Sequence, residues 1–129
     1  MLKILIIDDE APARSRLRRM LATIPSVETV GEAATAAEAL DLIPSSGATV
    51  LLLDISMPGM NGMELARTLQ ENTASPAVIF CTAWSDQAVQ AFECDAVDYL
   101  VKPVRAERLE TALEKAKRYL AKSTDGVDK

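Results

Sequence analysis

Short apolar runs alternate along the chain with longer stretches in which apolar positions recur every three or four residues. The runs fall at Lys3–Asp8, Val27–Ala33, Val50–Asp54, Ala77–Cys81 and Asp98–Val101. Helical spacing marks Pro12–Thr23, Ala36–Ile43, Met63–Glu71 and Asp86–Glu93, and a last stretch runs from Arg105 to Lys122. A strand with one face in water alternates apolar and polar residues; ILII and VLLL do not, so both are predicted to be covered on both faces. Five strands alternating with five helices need crossover connections, which are right-handed. The pattern therefore predicts a doubly wound α/β fold, a five-stranded parallel sheet between two helical layers.

Local punctuation agrees. Pro12 suits the first turn of a helix, where its missing N–H costs nothing. The last helix carries Leu109, Leu113, Ala116 and Leu120 at helical spacing, with Glu114 four residues before Arg118 on a wetter face. Residues 123–129, Ser-Thr-Asp-Gly-Val-Asp-Lys, have linker composition. The expected organisation is one domain over 1–122 and then a tail or linker leading to a further domain.

Composition narrows the chemistry. The chain has 129 residues, the size of one ordinary domain, which can bury a core without disulfide or metal staples. A net charge of −5 disfavours independent binding to phosphate backbones. Histidine is absent, which excludes Ser-His-Asp and Cys-His nucleophile systems, histidine-containing zinc sites and phosphohistidine carriers within the chain. Two cysteines, Cys81 and Cys94, make neither a disulfide framework nor a four-cysteine metal site, and read as small buried hydrophobes. No apolar run reaches the ~18 residues of a membrane helix, and MLKILIIDDE is too acidic for a signal peptide. A cytoplasmic location is expected.

In an open parallel sheet, ligands bind at the carboxyl ends of the strands. There the first strand ends in Asp8-Asp9-Glu10, the third in Asp54, the fourth in Thr82 and the fifth in Lys102-Pro103. Singly these residues read as caps, turns or solvated loops. Together, on consecutive strand ends, they form a cleft whose three aspartates repel one another unless a cation intervenes. Oxygen ligands without His or Cys select a hard ion, Mg²⁺ before Ca²⁺ or Mn²⁺. A lysine and a threonine hydroxyl beside such a site would hold phosphoryl oxygens, and a carboxylate there can itself be the nucleophile.

These residues carry a resemblance. From Leu2 to about Lys122 the chain resembles the receiver domain of bacterial two-component response regulators, in Asp8-Asp9, LLLDISMPGMNG, CTA and YLVKP. The stretch FCTAWSDQAVQAFECDAVDYLVKPV further resembles receivers that precede a LytTR-type DNA-binding domain. The resemblance implies a flavodoxin-like sheet of strand order 2-1-3-4-5. It implies that Asp54 accepts a phosphoryl group from a phosphohistidine on a partner sensor histidine kinase. Asp9 and Asp54 would ligate Mg²⁺ directly, with the backbone carbonyl of Ser56, and Asp8 through a metal-bound water. Lys102 and Thr82 would address the phosphoryl group, Ala83 would leave room for it, and Tyr99 would be the aromatic switch residue. A cis Lys102-Pro103 peptide is implied as well. Output would run through the face of the fourth helix, fifth strand and fifth helix, with Val89, Phe92 and Tyr99, by homodimerisation. DNA would be bound only by a domain outside this chain, and no membrane would be involved.

Two readings stay open at single positions. Trp84 reads either as a loop aromatic or as a shield over the acyl phosphate, in which case Trp84→Ala shortens the phosphorylated lifetime. Arg14, Arg16, Arg18 and Arg19 on the first helix read either as a solvated face or as part of a kinase-docking surface. Two other functional classes compete. A haloacid dehalogenase-like aspartyl-phosphate phosphatase uses similar groups, but its nucleophile ends the first strand and its acidic pair comes late. A degenerate receiver acting only as a protein-binding module would not be expected to retain all the aspartates, Thr82 and Lys102.

Overall fold

The computed structural model describes residues 1–70, 76–83 and 96–127. In chain order these are β1 (Leu2–Ile7), α1 (Ala11–Leu21), β2 (Val27–Ala33), α2 (Ala36–Ser46), β3 (Val50–Leu53), α3 (Gly62–Gln70), β4 (Ala77–Thr82), β5 (Asp98–Val101) and the C-terminal helix (Ala106–Val127). All pairings are parallel and the sheet order is β2-β1-β3-β4-β5, as the resemblance implies. The predicted helix at 86–93 lies outside the described residues, as do Trp84, Val89, Phe92 and Cys94.

Because successive strand side chains point to opposite faces, one apolar run fills two cores. Leu5, Ile7, Leu51, Leu53 and Phe80 pack with Leu65 and Ala66 of α3 and Ala36 and Ala39 of α2. Ile4, Ile6, Leu52, Ile79 and Leu100 pack on the other face, with Leu17 and Leu21 of α1 and Leu109, Ala112 and Leu113 of the C-terminal helix. The sequence ILII is fully buried on both faces, which is why it does not alternate. Cys81 is one of the buried apolar residues on the α1 side, and burial pushes its thiol up to about 12, so it acts as a packing residue.

Two helices outrun their predicted ends. The pattern predicts α2 only to Ile43, yet it continues through Pro44 to Ser46. One backbone bond is lost there, and the hydroxyls of Ser45 and Ser46 donate to the carbonyls of Leu42 and Ile43. Gly47, at φ 72°, then stops the helix in the left-handed conformation that glycine adopts without penalty. The C-terminal helix is predicted to end near Lys122, but helical backbone reaches Val127. Ser123, Thr124 and Asp125 each cost at most about 0.7 kcal/mol relative to Ala in a helix and Gly126 about 1, and no proline intervenes.

β5 is tied to the C-terminal helix by a buried carboxylate. Asp98 Oδ1 and Oδ2 accept from the fork of Arg108 at 2.7 and 2.8 Å, and Oδ1 also accepts from the Tyr99 N–H at 2.8 Å. Lys115 Nζ stands 3.3 Å away. Burial by itself would raise the Asp98 carboxyl, but Arg108, the Tyr99 amide and Lys115 outweigh it and hold it below the ordinary value. A depressed carboxyl stabilises the fold above the unfolded value of about 3.9, and that contribution is lost as pH falls through the lower folded value. Asp98→Asn should therefore cost about 1–2 kcal/mol at pH 7, allowing for the half-exposed arginine. Urea unfolding at pH 7 and at acid pH should show the gap narrowing in acid. A gap of equal size at both pH values would exclude the ionic contribution.

Candidate functional site

The carboxyl ends of β1, β3, β4 and β5 converge because β1 and β3 are central neighbours and β4 and β5 follow on one side. Backbone bonds set the relative height of these ends: Asp8 N donates to Ala33 O at 3.0 Å, Asp54 N to Ile7 O at 2.9 Å and Lys102 N to Thr82 O at 2.8 Å. The acidic residues are thus carried just past the last strand positions, where the sheet opens.

Asp8 and Asp54 are buried, whereas Asp9 is exposed. The Lys102 ammonium donates to Asp8 Oδ2 at 2.7 Å and Asp54 Oδ2 at 3.2 Å. The remaining oxygens are held by backbone: Glu10 N donates to Asp8 Oδ1 at 2.9 Å and Ser56 N to Asp54 Oδ1 at 3.3 Å. The loop after Asp54 buries Ile55 and Met57 and leaves Ser56 exposed between them. Asp9, Glu10, Asp54, Ser56, Thr82, Ala83 and Lys102 line one cleft of about 280 Å³. A neighbouring cleft of about 330 Å³, lined by Ala13, Leu17, Cys81 and Val104 among others, shares only Lys102 with it and contains no carboxylate.

Burial pushes the Asp54 carboxyl above its ordinary value. Lys102 opposes this, Asp8 reinforces it, and the Thr82 hydroxyl works with Lys102. For Lys102 itself burial acts to lower the ammonium, but Asp8 and Asp54 outweigh it and hold it above the ordinary value. The lysine is therefore a fixed cation at any physiological pH. Thr82 is fully buried and already addresses Asp54. Tyr99 is also turned inward, packed in the core with Leu53 and Phe80.

Carboxylate oxygens of Asp8, Asp9 and Asp54 lie within 4.8 Å of one another. The three clustered aspartates exceed the charge of Lys102 by two, and Glu10 on the cleft wall adds to that excess, which a divalent ion would offset. All the donors are oxygens, so the set fits a hard cation. Asp8 already has both oxygens engaged, while no hydrogen bond to the Asp9 carboxylate occurs among the described residues.

Three features of the site escape a motif reading. Gly62 N donates to Ile55 O at 2.9 Å, and a Cβ at Gly62 would fall 2.2 Å from the Asp54 carbonyl oxygen. Asn61 Oδ1 accepts from Glu64 N at 2.9 Å and Glu64 Oε1 from Asn61 N at 3.0 Å, a reciprocal cap that anchors the start of α3 there. The Asn-x-x-Glu spacing was a usable signal for it. Arg14 and Arg16, read from the sequence as a solvated or docking face, instead donate to the carbonyls of Asp8 and Val104, each at 2.7 Å. The Lys102-Pro103 peptide is cis.

The response regulator receiver domain family matches this chain over residues 4–114. The chain is 48% identical over 118 residues to the positive alginate biosynthesis regulatory protein of Pseudomonas aeruginosa, covering 91% of this chain and 48% of that protein. It is 41% identical over 118 residues to the sensory transduction protein LytT of Bacillus cereus, covering 92% and 48%. The chain thus spans about half the length of these relatives. Among solved structures, the response regulatory domain of mrkE from Klebsiella pneumoniae superposes with a TM-score of 0.84 at 30% identity, covering 94% of this chain and 99% of that one. The REC domain of AraT from Geobacillus stearothermophilus gives 0.82 at 33%, covering 95% and 98%. No helix among the described residues is long and apolar enough to cross a membrane. The haloacid dehalogenase alternative is set aside by this agreement of chain order, sheet order and similarity. The chain belongs to the response regulator receiver domain family and is a phosphorylation-dependent signalling switch.

Proposed function

We propose that Asp54 is the phosphoacceptor and that the cleft around it is a Mg²⁺ site. The observation that carries this reading is the Lys102 ammonium bridging two buried carboxylates, Asp8 and Asp54, beside an exposed third, Asp9. A carboxylate oxygen of Asp54 attacks the phosphorus of a phosphohistidine on a sensor histidine kinase. The P–N bond breaks as the P–O bond forms, and the imidazole leaves with a proton. Asp9, Asp54 and the Ser56 carbonyl would hold the ion, and Asp8 would act through bound water, as the resemblance implies. The ion would neutralise charge as it spreads over the transferring group. The chain itself contributes positioning and charge, so it assists its own phosphorylation and dephosphorylation without being a turnover enzyme. Intact-mass analysis with Mg²⁺ and a small acyl phosphate tests the reading; absence of a single phosphoryl addition would refute it.

The receiver unit is proposed to occupy residues 1–122, with 123–129 leading toward a DNA-binding output domain in a cytoplasmic regulator. Support comes from relatives about twice this length that carry regulatory names. The switch is proposed to run through Thr82 and Tyr99. A phosphoryl group adds about 1.5–2 negative charges, and each hydrogen bond to it from Thr82 or Lys102 is worth about 1.5–3 kcal/mol. Reversing a 1:99 equilibrium takes about 5.5 kcal/mol, so the two contacts together can shift most of the population. The surface changed is that of β5 and the C-terminal helix, and its output is homodimerisation. Sedimentation with Mg²⁺ and beryllium fluoride should show stronger self-association, which Thr82→Ala uncouples while leaving Asp54 labelling largely intact. Unchanged association in the parent would transfer the output to another route.

A further inference from the structure

We infer that Arg14 is a positioning residue for the metal site, holding the Asp8–Asp9 peptide plane so that Asp9 faces the cleft. The inference rests on the reading of that cleft as a Mg²⁺ site. Arg14 projects from α1 with its side chain only 19% exposed, unusually covered for an arginine on an outer helix. Its Nη1 donates to the Asp8 carbonyl at 2.7 Å and its Nε to Glu32 Oε1 at 3.3 Å. Glu32 sits on β2 and is held in turn by Arg18.

The carbonyl of Asp8 and the amide of Asp9 share one planar unit, so fixing one fixes the other. On its other flank, Asp8 N donates to Ala33 O, the residue after Glu32. Both backbone flanks of Asp8 are thereby tied to the end of β2, one directly and one through Arg14. Asp8 has these ties and two engaged carboxylate oxygens besides. Asp9 has none of them. It is exposed, and the direction of its side chain depends on the peptide that Arg14 holds. A guanidinium suits this task because its fork serves a carbonyl and a carboxylate at once.

Electrostatics and positioning predict opposite signs. Arg14 is a cation near a cation site, so removing its charge should by Coulomb's law strengthen Mg²⁺ binding. Loss of positioning should weaken it, and groups that orient metal ligands typically account for 10–100-fold in affinity. Arg16 supplies the control. It lies two residues along the same helix and carries the same charge, but its Nη2 is spent on Val104 O, away from the acidic turn.

Isothermal titration calorimetry with Mg²⁺ alone, on the whole chain, separates these. Arg14→Gln should weaken Mg²⁺ about tenfold. Arg16→Gln should leave it unchanged or slightly stronger. Labelling of Arg14→Gln by a small acyl phosphate should need about tenfold more Mg²⁺ for half-maximal rate, with the rate at saturating Mg²⁺ nearly that of the parent. Mg²⁺ affinity in Arg14→Gln equal to or above the parent's would overturn the proposal. Should Arg14→Gln fail the thermal-unfolding control, Arg14→Lys decides, since it keeps the charge but lacks the fork that serves carbonyl and carboxylate at once: weakened Mg²⁺ binding supports the proposal and unchanged binding overturns it. A parent protein that binds no Mg²⁺ would instead refute the reading of the cleft.

Discussion

Asp54→Asn should abolish phosphoryl addition by a small acyl phosphate in Mg²⁺, read as a single mass increment in the parent and none in the variant. An amide has no nucleophilic anionic oxygen, and neither neighbour can replace it. Asp8 is more deeply buried than Asp54 and holds the Lys102 ammonium at 2.7 Å against 3.2 Å for Asp54, and Asp9 is exposed at the rim. Undiminished labelling would place the acceptor elsewhere. The same substitution carries a second expectation of opposite sense. Burial raises the Asp54 carboxyl, and a raised carboxyl stabilises the fold fully only below the unfolded value of about 3.9. That contribution is lost as pH rises through the raised folded value, so at pH 7 the ionised group is a liability to the metal-free fold. Asp54→Asn should unfold at a higher temperature than the parent at pH 7 in chelator, and the gain should shrink toward acid pH. A variant that melts lower would show the carboxylate to be stabilising. The residue proposed to perform the chemistry is thus expected to be one the fold would be more stable without.

Gly62→Ala should be among the most damaging single-methyl changes in the chain. The added Cβ would lie 2.2 Å from the Asp54 carbonyl oxygen and 2.9 Å from both the Asp54 carbonyl carbon and the Ile55 Cα. These are backbone atoms at the end of a central strand, so no side-chain rotation relieves the clash. The cost should be about 3 kcal/mol, the upper part of the range for overpacking, or roughly 10 °C in Tm. Labelling should slow as well, because the atoms that must move carry the proposed phosphoacceptor. Gly59→Ala is the control. Its φ of 76° is costly for alanine, but nothing lies within 4 Å of the added methyl. It should lose about 1–2 kcal/mol and leave the labelling rate near that of the parent. Equal slowing in both variants would mean that loop stiffness, not the approach to Asp54, sets the rate.

Much of this was legible in one dimension. ILII and VLLL do not alternate because both faces of β1 and β3 are buried, so two-sided burial is written directly in their composition. Asp8, Asp9, Asp54, Thr82 and Lys102 could be gathered from the sequence because strand ends share an edge in a parallel sheet and four in-order motifs leave little freedom. Helix ends were less legible. Pro44 reads as a stop, yet serine hydroxyls and Gly47 accommodate it within the last turn of α2.

Arg14 and Gly62 mark the boundary between the two kinds of information. Helical spacing puts Arg14 and Arg18 on one side of α1 and Arg16 on another, but it does not say what either side meets. Which carbonyl each one meets depends on where α1 lies across β1 and β5. That is a matter of packing between elements distant in sequence. Gly62 likewise reads as the turn residue of an Asn-Gly pair, and only the docking of α3 against the end of β3 makes it a contact with Asp54. Fold class, and the gathering of Asp8, Asp9, Asp54, Thr82 and Lys102 at one edge of the sheet, were legible from the sequence alone. These follow from periodicity and composition, which are local. The tertiary structure decided which aspartates are buried, which oxygens remain open and which outer residues hold them, because such facts depend on distances between segments that the chain order leaves unspecified.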